Sequence, residues 1–326
     1  AGSSDPTLIL HERWVFKIVQ LYETFLVRHS IMLVGASMCG KTQIQKTLIK
    51  ALTDTQPMPY QELRMNPKSI TAEQMFGRDD PLTHDWTDGI FADLWRKGNA
   101  KGNKKFNFIT LDGPVDAVWI ENLNTVMDDN KLLTLANGDR IPMSADAKLM
   151  FEVEDLNNAS PATVSRAGII YISAVELNWQ PLVTAWLMSP IIKVHSESLQ
   201  RLFDTYVETM IEYCIVNKVK DMMNLPLPSK VTNCMTMLQS LLEEYTSPLE
   251  KGHYERLFLY SMSWSLAGLA ENDDRQRFDG KLRELAPKIM PACEYPDTIF
   301  DFVCSYTGEW ERWDTRLPKF VYSADD

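Results

Sequence analysis

Hydrophobic and polar positions follow two different periods over the first half of the chain, which predicts strands separated by helices. Apolar side chains recur at helical spacing over residues 11–28. Apolar runs of strand length occupy 30–34, 62–65, 106–111, 147–153 and 168–173, and further helices are predicted over 41–52, 88–97 and 116–127. A hairpin is predicted around Asn137-Gly138, because both residue types tolerate positive φ. Strands that alternate with helices favour an α/β fold with a mostly parallel sheet flanked by helices.

The second half of the chain has a helical pattern. Residues 174–192 contain Pro181 and Pro190, which is typical of a connector. Four helices are predicted beyond it, over 195–218, 228–246, 251–271 and 273–287. The pattern therefore predicts a large α/β domain over 1–175, a connector over 176–192 and a small all-α domain over 193–326.

Composition and charge fit this organisation and exclude several classes of partner. The chain has 326 residues, 45% of them hydrophobic, which suits two domains of about 150 residues. Its net charge of −11 argues against nucleic acid as a partner. No apolar run approaches the roughly 18 residues of a membrane span, so we expect no membrane contact. The first residue is Ala1 and not Met, so we interpret the sequence as a piece of a longer protein.

The spacing of the cysteines and histidines indicates neither disulfides nor a zinc-type site. The five cysteines are Cys39, Cys214, Cys234, Cys293 and Cys304. Their number is odd and no C-x-x-C occurs, which is typical of reduced thiols in a cytosolic compartment. The five histidines form no pair at metal-ligand spacing.

A turn that contains glycine lies between the strand predicted over 30–34 and the helix predicted over 41–52, and it fits the pattern G-x4-G-K-[ST]. The pattern consists of Gly35, Ala36, Ser37, Met38, Cys39, Gly40, Lys41 and Thr42. Glycines let backbone N–H groups turn toward phosphate oxygens, and the helix N-terminus adds its dipole. Lys41 is predicted to reach the β- and γ-phosphates of ATP or ADP, and Thr42 to ligate Mg²⁺.

A second nucleotide signature is the apolar strand over 106–111 that ends in Asp112. In a parallel sheet Asp112 would lie beside Thr42 and share its Mg²⁺. Hydrolysing enzymes of this type usually carry a glutamate next, which activates water, but here the residue is Gly113. Loss of a general base lowers a rate by about 10²–10⁴-fold, so the site is predicted to bind nucleotide and hydrolyse it poorly. Asp116 and Glu121 are candidate substitutes, each interpreted first as an exposed helix carboxylate.

Several longer stretches are more specific than these two motifs. They are NPK at 66–68, FGR at 76–78, DWTDGIF at 85–91, LDGPVDAVWIENLN at 111–124, DDNKLLTLANGDRIPM at 128–143 and NASPATVSRAG at 158–168. Together they closely resemble the second AAA+ module of dynein heavy chains, over about residues 10–175. The resemblance weakens over the helical part, which is compatible with the lid domain of such a module.

This resemblance implies a place in a ring of modules, where each nucleotide site lies between one module's phosphate loop and the next module's arginine. Arg166 falls on that arginine finger and would act in the site of the preceding module. The implied partners are the neighbouring AAA+ modules and the linker of the same heavy chain. Microtubules and the dynein intermediate and light chains would be reached only by parts outside this sequence. The implied location is the cytoplasm and cytoskeleton, and we expect the axoneme of a cilium.

Three groups of residues leave questions open. The fourth strand ends near Glu152, where hydrolysing AAA+ proteins commonly carry asparagine, and a carboxylate there repels triphosphate unless it is paired. The lid arginines available as a nucleotide sensor are Arg256, Arg275, Arg277 and Arg283. Partner contact and core packing are both compatible with Trp86, Trp95 and Trp119.

Two other functions compete with a nucleotide-holding dynein module. One is a free-standing P-loop ATPase or small-molecule kinase, against which the missing glutamate and the lack of a tight basic cluster in the lid argue. The other is a structural spacer with a vestigial loop, against which the intact Gly35, Gly40, Lys41, Thr42 and Asp112 argue.

Overall fold

The computed structural model describes residues 8–174, 178–223 and 225–318. By its internal contacts the chain divides into two compact units, one over Leu10–Asn178 and one that begins at Trp179. The predicted domain boundary at 175–176 lies outside the described residues. Within the predicted connector the structure has a helix, Gln180–Leu187. Pro181 lies in its first turn, where backbone N–H groups make no hydrogen bond within the helix, so the missing N–H of proline costs nothing.

The first unit contains both helices and strands, and its strands are three to seven residues long. Its described strands are β1 (Ser30–Val34), β2 (Tyr60–Met65), β3 (Gly77–Asp79), β4 (Trp86–Asp88), β5 (Phe106–Asp112), β6 (Leu132–Thr134), β7 (Arg140–Pro142), β8 (Ala147–Val153) and β9 (Gly168–Tyr171). Its described α-helices are α1 (Glu12–Val27), α2 (Lys41–Thr55), α3 (Ala72–Phe76), α4 (Ile90–Gly98), α5 (Ala117–Ile120), α6 (Asn124–Met127) and α7 (Pro161–Arg166).

Five of these strands form one parallel sheet in the order β2-β5-β8-β1-β9, which confirms the predicted fold class. Side chains alternate along β5. Phe106 and Phe108 face α1, where their ring centroids lie 5.4 and 5.5 Å from that of Phe25. Ile109 and Leu111 belong to the core cluster on the other face. The sheet is therefore covered by helices on both faces, and its strands end at one common edge.

Of Trp86, Trp95 and Trp119, the last two are core residues. Trp95 is 0% exposed and donates from Nε1 to the carbonyl oxygen of Ile141 at 3.1 Å, while Trp119 is 3% exposed and stacks on Phe151. Partner contact is thus wrong for both. Trp86 is half-buried, and its Nε1 donates to Asp88 at 2.7 Å.

The indole nitrogen of Trp119 is buried and has no hydrogen-bond partner among the described residues. Trp119→Phe removes this unpaired donor while keeping most of the ring packing, so we expect the free energy of unfolding to change by less than about 1.5 kcal/mol. Trp119→Ala should lower it by about 3–5 kcal/mol, because it leaves a cavity. Urea unfolding of the two variants measures both values. A phenylalanine variant as unstable as the alanine variant would contradict the conclusion that the indole N–H of Trp119 has no partner.

Two predicted elements differ in detail. The helix predicted over 116–127 is two short helices, α5 and α6, joined by the 3-10 turn Glu121–Leu123. The hairpin β6–β7 is connected by the five residues 135–139, of which only Gly138 has positive φ, at 89°. Leu135 explains the longer loop, because its side chain is buried and its N–H donates to Asp139 at 2.9 Å. The loop therefore contains one glycine with left-handed backbone conformation and is not the two-residue Asn-Gly turn, in which both residues have positive φ.

The second unit is helical with one small hairpin. Its described elements are α8 (Gln180–Leu187), α9 (Ser196–Val216), α10 (Leu227–Leu242), α11 (Lys251–Ala267), α12 (Asn272–Leu285), β10 (Phe302–Cys304) and β11 (Trp310–Arg312). Helix α11 is the central element: successive side chains such as Leu257, Phe258 and Leu259 are all buried. The four predicted helices are therefore present, with slightly shorter bounds. In the described part of the chain no helix is long and apolar enough to cross a membrane.

Candidate functional site

The phosphate loop joins the end of β1 to the start of α2. Met38 and Gly40 have φ values of 63° and 93°, so the loop enters the left-handed region twice. A Cβ atom on Gly35 would lie 2.2 Å from the carbonyl oxygen of Ile172 and 2.9 Å from Sγ of Cys39. Only glycine therefore fits at Gly35, and the compact loop leads directly into the N-terminus of a 15-residue helix, as an anion site requires.

Met38 and Cys39, at variable positions of the loop pattern, have opposite environments. Met38 is 47% exposed, whereas Cys39 is buried at 1% exposure. Burial raises the pKa of the Cys39 thiol, and the nearby Lys41 charge opposes this only in part. Cys39 is therefore a neutral packing residue beneath the loop.

Lys41 lies over the loop. Its Nζ donates to the carbonyl oxygens of Gly35 and Ala36 at 2.6 and 2.9 Å. These two contacts fix the ammonium charge above the loop backbone, where the sequence predicts phosphate.

Thr42 and Asp112 are both neighbours of Glu152, at the edge of the sheet where the parallel strands end. Oγ1 of Thr42 donates to Glu152 at 2.6 Å, and Asp112 is the register partner of Glu152 across β5 and β8. Hydroxyl and carboxylate oxygens are suitable Mg²⁺ ligands, and the side chain of Asp112 is 47% exposed. Among the described residues no group of three or more His, Cys, Asp or Glu side chains could hold a metal ion. These residues fit a Mg²⁺ whose coordination is completed by phosphate oxygens and water.

Arg64 on β2 joins these carboxylates, and the sequence analysis missed it. Its Nη1 donates to Asp112 at 2.6 Å and its Nη2 to Glu152 at 2.5 Å. Its Nε donates to Glu62 at 2.9 Å. Burial works against the charged guanidinium, but hydrogen bonds and charges of Glu152 and Glu62 outweigh it and raise the pKa of Arg64. The Glu152 carboxylate, whose side chain is 1% exposed, is therefore paired.

Gly113 is held closely by its surroundings. Its N–H donates to the carbonyl oxygen of Glu152 at 3.1 Å, and a Cβ atom would lie 2.9 Å from Oδ1 of Asn66. The same oxygen accepts from the N–H of Lys68 at 2.8 Å. A side chain at position 113 therefore needs Asn66 to shift.

The two candidate substitutes for the missing glutamate have ordinary surroundings. Asp116 caps α5, where it accepts from the N–H of Val118 at 3.0 Å, and it pairs with Lys68 at 2.5 Å. These contacts hold its pKa below the usual range. Glu121 is exposed. The structure thus favours the interpretation of Asp116 as a helix carboxylate.

Arg166 is the last residue of α7, whose N-terminus is capped by Ser160. Its Nε pairs with Asp128, and its Nη1 donates to the carbonyl oxygen of Ala162 at 2.8 Å. The side chain is 30% exposed. Arg166 therefore lies at a helix end on the surface of the first unit.

The four lid arginines all have partners within the second unit. Nη1 of Arg256 donates to Gly308 and Nη1 of Arg283 to Pro291, at 2.8 and 2.7 Å. Arg275 lies over the Trp264 ring, and Arg277 pairs with Asp274.

Three family models match this chain. Residues 30–167 match the AAA domain of the dynein-related subfamily, and 199–315 match the AAA lid domain of dynein heavy chains. Residues 3–42 match the hydrolytic ATP-binding site of the dynein motor region. The chain belongs to the dynein heavy chain family. It is an AAA module with an ATP-binding site, followed by a lid domain.

Relatives of this dynein module align along almost all of it. The dynein gamma chain of the flagellar outer arm of Chlamydomonas reinhardtii is 51% identical over 98% of the module. Dynein axonemal heavy chain 8 of Mus musculus is 46% identical and axonemal heavy chain 5 of Rattus norvegicus 43% identical, each over 98% of the module. The module spans only 7–9% of the length of these relatives. Their names point to the axoneme of the cilium or flagellum.

Proposed function

We propose that this chain is the second, nucleotide-holding module of an axonemal dynein heavy chain, which binds Mg–ATP or Mg–ADP and hydrolyses little of it. One observation carries the proposal: the phosphate loop is intact with Lys41 and Thr42 in place, and Asp112 ends the neighbouring strand, but the residue after Asp112 is a glycine. The site has its binding groups and lacks a general base at the usual position.

The groups of the site have separate parts in binding. Backbone N–H groups of the loop and the α2 N-terminus bind phosphate oxygens, and Lys41 exchanges its carbonyl contacts for the β- and γ-phosphates. Thr42 and Asp112 would hold Mg²⁺, which supplies charge neutralisation to the phosphates. Gly113 can neither orient nor deprotonate a water molecule, and this absence alone accounts for a rate lower by about 10²–10⁴-fold.

Arg166 supports a second role in the same proposal. A guanidinium fork matches the charge that develops on a phosphoryl group in transfer, and Arg166 is partly exposed at the end of α7. It would serve the site of the preceding module. The partners proposed for this chain are thus neighbouring AAA+ modules and the linker of the same heavy chain, while microtubule contact belongs to other parts of that chain.

Titration calorimetry with Mg–ADP and Mg–ATP tests the binding function. We expect Lys41→Ala to weaken binding by about 100-fold, because charge-assisted contacts to phosphate are lost. Lys50→Ala is the matched control: it removes an exposed lysine of the same helix that pairs with Asp54 at 3.1 Å, and it should leave binding unchanged.

Turnover measured on the same samples tests the holding function. The unmodified chain should hydrolyse ATP at well below about 1 per second, the low end of ordinary enzyme turnover. Turnover at or above that rate, abolished by Lys41→Ala, would support a hydrolysing ATPase. No affinity at millimolar Mg–ATP would support the structural spacer.

A further inference from the structure

Four charged side chains and one hydroxyl form a continuous hydrogen-bonded network at the strand ends. Arg64 lies at its centre and bonds to Glu62, Asp112 and Glu152. Glu152 in turn accepts from Oγ1 of Thr42 at 2.6 Å. The network therefore contains the two residues that would hold Mg²⁺, and three carboxylates share one guanidinium.

Glu152 makes this arrangement unusual for a site that binds anions. Its side chain is 1% exposed and in direct contact with the hydroxyl of a loop residue. An unpaired charge so close to a triphosphate would weaken binding by about 100-fold or more, since charges a few ångströms apart interact strongly at the effective dielectric of a protein. Nη2 of Arg64, at 2.5 Å from Glu152, offsets part of this repulsion.

The same guanidinium also competes with a divalent cation. Nη1 and Nη2 bind Asp112 and Glu152, which are neighbours across two paired strands. A Mg²⁺ ion bound by Asp112 and Thr42 would share Asp112 with Arg64. It would also compete with Glu152 for the hydroxyl of Thr42. Arg64 therefore already supplies part of the positive charge that Mg²⁺ would bring to this edge of the sheet.

We propose that Arg64 is an internal counter-cation of the phosphate site, which lets the site bind nucleoside di- or triphosphates with only a weak dependence on Mg²⁺. This inference rests on the proposed function, because it concerns how that same site holds its nucleotide. Its measurable quantity is the ratio of the dissociation constant for ADP in EDTA to that in Mg²⁺.

The test is a comparison of that ratio, by titration with a fluorescent ADP analogue, between the unmodified chain and Arg64→Met. We expect a ratio below about ten for the unmodified chain. For Arg64→Met we expect a ratio above about 100, with the loss of affinity mainly in EDTA, because Mg²⁺ then becomes the only cation between Asp112 and Glu152.

Three further variants separate charge from structure. Arg64→Lys keeps the charge and should keep the ratio near that of the unmodified chain, and the double variant Arg64→Met with Glu152→Gln removes both charges and should return to it. Arg78→Met changes an exposed arginine on β3 and should have no effect. Thermal unfolding of each variant checks that it is folded. If the Arg64→Met variant unfolds because Glu152 is left unpaired, the double variant still tests the inference, since it has no unpaired charge at position 152.

Equal losses in Mg²⁺ and EDTA for Arg64→Met would overturn the inference. So would an unmodified chain that binds ADP only with Mg²⁺, which would leave the proposed function standing. A chain that binds no nucleotide in either buffer would overturn both.

Discussion

Arg166→Ala is expected to slow ATP turnover at the site of the preceding module by about 10³–10⁵-fold in a heavy chain that contains this module. The expected effect is large because the guanidinium would stabilise charge only as the phosphoryl group transfers, so its loss appears in the rate and hardly in ground-state binding. Single-turnover hydrolysis measures the rate at that site, and a parallel titration measures its nucleotide affinity.

The ion pair with Asp128 provides the control. If Arg166 served only to bind Asp128 within its own unit, Asp128→Ala would reproduce the defect of Arg166→Ala. We expect Asp128→Ala to change turnover by less than about tenfold, because a surface ion pair contributes little to stability. Arg166→Lys should stay close to the alanine variant, since an ammonium lacks the planar fork. Equal defects in Asp128→Ala and Arg166→Ala would contradict the finger role.

The second large effect concerns the missing base. We expect Gly113→Glu combined with Asn66→Ala to raise ATP turnover of this chain by about 10²-fold, within the range typical of a general base. Gly113→Glu alone should gain much less, because its Cβ would lie 2.9 Å from Oδ1 of Asn66. Steady-state phosphate release measures the rates.

Gly113→Gln combined with Asn66→Ala is the matched control for that result. Glutamine has the same size and cannot accept a proton from water, so its turnover should equal that of the unmodified chain. A gain of the same size with glutamine would show that side-chain volume and not proton transfer changed the rate. No gain with glutamate would show that Glu152 or Arg64 also limits hydrolysis.

The parts of this site that follow from the sequence are those encoded by contiguous residues. The phosphate loop combines an apolar run, two glycines and a helix start, and the structure contains all three. Asp112 was found in the same way, as the polar residue at the end of an apolar strand. Periodicity also predicts the five-stranded sheet, since buried strands and amphipathic helices have different repeats.

Arg64 and the pairing of Glu152 could not be found in that way. Their contacts depend on the order β2-β5-β8, which places residues 48 and 88 positions apart side by side. The available signal was the polar pair Glu62 and Arg64 on a strand adjacent to the Asp112 strand. Alternation in β2 indicates that both share one face, but the identity of their partners requires the sheet order.

Gly35 has a consequence for how the chain leaves the sheet. Its Cα lies so near the carbonyl group of Ile172 that even a methyl group does not fit, and the N–H of Ile172 donates to Val34 at 2.8 Å. The first residue of the phosphate loop and the exit from β9 therefore touch each other directly. Any side chain at position 35 would require the backbone of Ile172 to shift, so one glycine fixes both the start of the loop and the course of the chain just after β9.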